Sequence, residues 1–133
     1  MEAIDTKQML IDNVERFVSE LENLELGELF ITADGDIVDA DAPGDHFDAE
    51  PCDIYDYFEA VEPLDVAVSI DSDCRIVGFK VWMAFGGPTI VIDTERGEVA
   101  GWWGADEVRR YLDSVDAVNE YYTEQFAGSF IKA

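Results

Sequence analysis

The chain has 133 residues, with 31 acidic and eight basic side chains and a formal net charge of −23. Apolar residues make up 48 %, with eight Phe, five Tyr and three Trp, which excludes a disordered acidic tail and predicts one folded domain over residues 1–133. The same charge excludes nucleic acid and anionic membrane as ligands, because both are polyanions.

The first predicted element is a helix over residues 6–25. Asp5 caps it with Gln8 as its capping-box partner, and Leu10, Val14, Phe17, Val18, Leu21 and Leu24 recur at helical spacing. Gly27 stops it. A short strand is expected over 28–34, turning at Asp34-Gly35. Residues 36–51, rich in Asp, Ala, Gly and Pro, are expected as a loop. Ile54, Tyr57, Phe58 and Val61 predict a short helix before Pro63.

After Pro63 the period changes to two. Val66, Val68 and Ile70 alternate with polar or small residues, and 71–73 supply a turn. Val77, Phe79, Val81, Met83 and Phe85 are expected on one strand face, with Ile76, Gly78, Lys80, Trp82 and Ala84 on the other. The 86–88 Gly-Gly-Pro breaks that strand. Ile90 and Ile92 mark the next, and 95–97 turn into Val99 to Trp103. The links are short enough for hairpins, giving an antiparallel meander of about four strands. Asp106 is expected to cap a short helix through Val108, Tyr111 and Leu112. Val115, Val118, Tyr122 and Phe126 predict a second helix ending near Gly128. The fold class is α+β, an antiparallel meander flanked by an N-terminal helix and C-terminal helices.

The charge is strongly localised. Between Arg16 and Arg75 there is no lysine or arginine, and the 58 intervening residues hold 18 acids. Residues 1–74 carry 22 acids against two bases, net −20, and residues 75–133 carry nine against six, net −3. One-sided charge of this size opposes compaction. It points to a strongly basic partner or to a very salty cytoplasm. Scarce lysine, and Asp exceeding Glu by 17 to 14, fit salt adaptation, but that should spread acid over the whole surface. DNA presents one negative charge per roughly 1.7 Å of axis, so a fixed row of carboxylates can occupy a cleft built for DNA. The candidate partner-binding residues are Asp34, Asp36, Asp39, Asp41, Asp45, Asp48, Glu50, Asp53, Asp56 and Glu59.

Other chemistry is poorly supported by the sequence. Asp39, Asp41, Gly44 and Glu50 fall at positions 1, 3, 6 and 12 of an EF-hand loop, but Pro43 and His46 break its pattern, so no metal is expected. His46 is the only histidine, and no nucleophile has a recognisable setting, so no catalytic residue and no cofactor are expected. Cys52 and Cys74 lack a Cys-x-x-Cys spacing and are expected as free thiols. No apolar run nears the roughly 20 residues of a membrane span, and the acidic N-terminus is unlike a signal peptide. A cytoplasmic location is expected. Trp102 and Trp103 are expected on opposite sides of the sheet. One of them, with Trp82 and Ile76, would form an apolar patch suited to a homodimer, unless the C-terminal helix covers it.

The run Phe85-Gly86-Gly87-Pro88-Thr89-Ile90-Val91-Ile92-Asp93-Thr94 is followed by Gly97, Val99 and Gly101-Trp102-Trp103-Gly104. With Ile54-Tyr55-Asp56-Tyr57-Phe58 upstream, it resembles a group of small acidic proteins carried by phages and conjugative elements. The similarity spans residues 53–104. It implies a mobile-element context, in which small acidic proteins block host defence, DNA-mimicking anti-restriction and anti-CRISPR proteins among them. No functional residue is carried over from it. The expected function is a non-enzymatic inhibitor of a basic nucleic-acid-binding protein, a bacterial defence nuclease complex. The alternatives are an immunity or antitoxin-type protein neutralising a basic toxin, or an acidic domain of a high-salt organism.

Overall fold

A computed structural model describes residues 5–39 and 49–127. The order is α1 (Thr6–Leu26), β1 (Leu29–Ile31), β2 (Ile37–Asp39), β3 (Glu50–Pro51), α2 (Ile54–Val61), β4 (Asp65–Ile70), β5 (Ile76–Ala84), β6 (Thr89–Asp93), β7 (Glu98–Trp103), β8 (Asp106–Tyr111) and α3 (Val115–Phe126). The fold is α+β, with a five-stranded antiparallel meander, β4 to β8 in sequence order, and a three-stranded sheet ordered β2-β1-β3.

The Asp5 carboxylate accepts a hydrogen bond from the Gln8 amide at 3.0 Å, holding the first turn of α1. Gly27 ends the helix in the left-handed conformation, φ 75°, which a residue without Cβ takes at no steric cost. The apolar stripe of Leu10, Val14, Phe17 and Leu21 is buried. It lies on β7 and β8 over Gly101, where bare backbone lets the helix approach closely. α3 covers the β5 side of the same face, with Phe79 stacked against Phe126 and tilted against Tyr122, both at 5.7 Å. The core therefore lies between the helices and one sheet face, around Phe79, Val81, Ile90, Ile92, Val99 and Val108.

Four expectations are corrected. Residues 106–111 form the edge strand β8, not a helix. Val108 faces the core, and Glu107 and Arg109 face away. The meander has five strands. The stretch expected as a loop contains β2 and β3, which pair with β1 on either side. The faces of β5 are also not the simple alternation expected. Ser69 pairs with Gly78 but Ile70 pairs with Ile76, so Val77 is an extra residue and Ile76 turns to the core. Trp82 pairs with Val91 but Ala84 pairs with Ile90, so Met83 is a second extra residue. Val77 is left exposed. Past the second irregularity Phe85 departs from the face of Phe79, and it is 73 % exposed. Helix α3 ends at Phe126, and Gly128 lies outside the described residues.

Candidate acidic interface

Helix α2 is placed by its caps and its aromatic face. The Asp53 carboxylate accepts from the Asp56 amide at 2.8 Å, and Asp56 accepts from the Asp53 amide at 3.4 Å. This capping box is built from two acids, which the positive end of the helix favours. Tyr57 and Phe58 are buried, Phe58 stacking on Tyr121 at 4.9 Å. The Tyr57 hydroxyl donates to Glu20 of α1 at 2.9 Å. These contacts fix the rotation of α2 and turn Asp56, Glu59 and Glu62 away from the core.

Those three carboxylates form one wall of a groove of about 550 Å³. The opposite wall comes from the small sheet. Glu50 sits on β3 opposite Ile31 of β1, and Asp34 occupies the β1–β2 turn. That turn is held by the Gly35 amide donating to the Thr32 carbonyl at 3.0 Å and the Asp36 amide donating to Thr32 Oγ1 at 3.1 Å. Ile31, Pro51 and Ala60 supply the apolar part of the lining. Five carboxylates thus line one cleft.

The cations lie elsewhere. Arg96, Arg109 and Arg110 are in ion pairs with Asp93, Glu98, Glu107 and Glu15. No described carboxylate between residues 28 and 73 is in an ion pair among the described residues. A surface of this kind offers fixed hydrogen-bond acceptors and a negative potential to a lysine- or arginine-rich partner. Among the described residues no group of three or more His, Cys, Asp or Glu is disposed to hold a metal ion.

Of the ten residues picked from the sequence, the structure brings Asp34, Glu50, Asp56 and Glu59 together. Asp36 is exposed in the same turn, outside the groove lining. Asp53 lines a different hollow, between α1 and the start of α3, with Cys52 and Ser114. Asp39 belongs to β2. Asp41, Asp45 and Asp48, with His46, lie outside the described residues. Glu62 was not among the ten, yet it lines the groove. Its spacing of three from Glu59 and six from Asp56 was the available signal.

The second sheet face carries Lys80, Trp82, Val91, Asp93, Ala100, Trp102 and Arg109. Trp103 instead packs against the core, so the two adjacent indoles do face opposite sides. Helix α3 lies on the other face, so no described helix covers Trp82 and Trp102.

No helix among the described residues is long and apolar enough to cross a membrane. Comparison of the chain with protein-family models, with curated proteins and with solved structures gives no match.

Proposed function

We propose that this protein is a non-enzymatic inhibitor whose acidic groove docks into the nucleic-acid-binding cleft of a basic protein, a bacterial defence nuclease complex being the target class. The observation that carries this reading is the groove itself. Asp34, Glu50, Asp56, Glu59 and Glu62 converge on one cleft with no compensating cation among the described residues. Converged carboxylates that no internal cation neutralises are free to release counterions from a partner and to steer its approach, as a phosphate backbone does. The rest of the fold serves as a scaffold, α2 being locked to α1 and α3 through Tyr57 and Phe58.

The test is a cleavage-inhibition titration against purified restriction and CRISPR effector complexes, repeated across a salt series. The wild-type chain is set against the variant Asp34→Asn, Glu50→Gln, Glu59→Gln, Glu62→Gln. Inhibition by the wild type should weaken steeply with salt, and the variant should inhibit at least about tenfold more weakly. Equal inhibition by both proteins removes the groove as the docking surface.

A further inference from the structure

We propose that the uncovered face of the five-stranded sheet is the interface of a symmetric dimer, its occupant being a second copy of this chain. Four observations meet there. The first is a hollow of about 270 Å³ on the face, with Trp82 and Trp102 at its sides and Val91 and Ala100 at its floor. Val91 and Ala100 are only 5 % and 2 % exposed although no described element lies over them, so the surrounding tall side chains already exclude water from an apolar floor. The second is Phe85. The irregularity at Met83 removes it from the helix-covered face. It lines a neighbouring hollow with Leu64, Asp65 and Trp82, and Leu64 and Phe85 are 64 % and 73 % exposed. Large apolar groups exposed beside a hollow with an apolar floor and a rim that includes Lys80, Asp93, Arg96 and Arg109 mark an association surface.

The third observation is charge. On a chain of net −23, a second copy is repelled almost everywhere. This face holds Lys80, Arg96 and Arg109 together with Asp93, Glu98 and Glu107, so its charges nearly cancel. The fourth is the mixture of signs. Lys80 has no ion pair among the described residues, and Asp65 stands diagonally from it on β4, so both are free to pair across a two-fold axis. A two-fold axis lying in the interface and bisecting the line from Phe85 to the Val91–Ala100 hollow seats each Phe85 in the other copy's hollow. Knob and hole then exchange reciprocally, as an isologous contact requires. The groove carboxylates lie on α2 and the small sheet, so each copy keeps its groove.

The test is sedimentation equilibrium of the full chain in dilute buffer and at high salt, with Phe85→Asp as the variant. The wild type should dimerise with a Kd on the order of 10 µM. Because the two copies repel overall, added salt should tighten the dimer, opposite to its effect on binding at the groove. Indole emission should shift to the blue on association. Phe85 is exposed, so Phe85→Asp leaves the fold intact by circular dichroism and should weaken the dimer by at least about thirtyfold. A monomer at both salt levels up to about 200 µM overturns the proposal, as does a dimer that Phe85→Asp leaves unchanged. The groove variant should dimerise at least as tightly as the wild type, since it carries less repelling charge, so failure of one proposal leaves the other standing.

Discussion

Gly101 of β7 lies directly under Val14 of α1. A Cβ built on Gly101 would stand 2.7 Å from Val14 Cγ2 and 2.8 Å from Leu10 Cδ1, and both side chains are fully buried. Neither can swing into solvent, so the helix itself must lift. Gly101→Ala is therefore expected to cost about 1–3 kcal/mol, the usual penalty of overpacking. A lowered urea midpoint with an unchanged slope checks it.

How much of this was legible follows from the range of the interactions involved. The α1 stripe and its Asp5 cap are local features, and the structure has both where the sequence predicts them, although the Gln8 side chain donates to Asp12 at 2.9 Å and does not close the expected capping box. β8 was misread because Val108, Tyr111 and Leu112 fall at helical spacing, and because Asp106 suits a cap. What decides its state is pairing across the sheet. Val99 sits opposite Arg110, Gly101 opposite Val108, and Arg109 finds Glu98 on β7. None of those partners is visible in the six residues themselves. The bulges of β5 were likewise hidden, since each extra residue is defined only by its neighbours on β4 and β6. The acidic window could be counted from the sequence. Which of its carboxylates converge depends on how α2 docks beside the small sheet, so Asp53 drops out and Glu62 enters.

The Tyr57 hydroxyl makes the fold sensitive to alkali. Burial, then the charge of Glu20, then its hydrogen bond push the Tyr57 pKa well above its ordinary value of 10.0. Burial also raises Tyr122, and it pushes the Cys52 thiol up to about 11. The folded protein thus keeps protons that the unfolded chain gives up. The contribution of these groups to stability should be flat below about pH 9 and fall as pH rises beyond it, because there the unfolded state binds fewer protons. Tyr57→Phe should lose about 1 kcal/mol at neutral pH with the hydrogen bond to Glu20, and should then decline less steeply in alkali. Urea titrations across the alkaline range read both effects. An unchanged alkaline slope in the variant would contradict the assignment to Tyr57.

The two cysteines should differ sharply in reactivity. Cys52 is 5 % exposed and its Sγ lies 3.4 Å from the Asp53 carbonyl, whereas Cys74 is exposed in the turn between β4 and β5. Burial first, then the charges of Asp56, Asp53 and Glu20, hold Cys52 in the unreactive thiol form. At about pH 8, Ellman's reagent should therefore titrate one thiol quickly in the folded protein and the second only after denaturation. Cys74→Ser should abolish the fast phase.

Ser114 opens α3 without capping it. Its side chain makes no cap hydrogen bond, its residue is 2 % exposed, and its hydroxyl has no hydrogen-bond partner among the described residues. A buried hydroxyl of this kind gives up its hydration for nothing in return. Ser114→Ala is expected to stabilise the fold by about 1 kcal/mol, read as a higher urea midpoint. A lower midpoint would show that the hydroxyl is bonded in solution.

The acidic groove itself should cost stability in dilute buffer. Asp34, Glu50, Asp56, Glu59 and Glu62 face one cleft without an ion-pair partner among the described residues, so each repels the others across it. Neutralising four of them, by Asp34→Asn with Glu50→Gln, Glu59→Gln and Glu62→Gln, leaves the Asp53–Asp56 capping box in place. The variant should melt at a higher temperature than the wild type at low ionic strength. The gap should close near 1 M salt, where the screening length falls to about 3 Å. A gap that persists at high salt would mean that the substitutions act through packing or helix propensity instead. A wild type that folds only in molar salt would point to a salt-adapted surface. A sharp transition in dilute buffer leaves the repulsion as a cost that the fold tolerates, and a basic partner would then relieve it on binding.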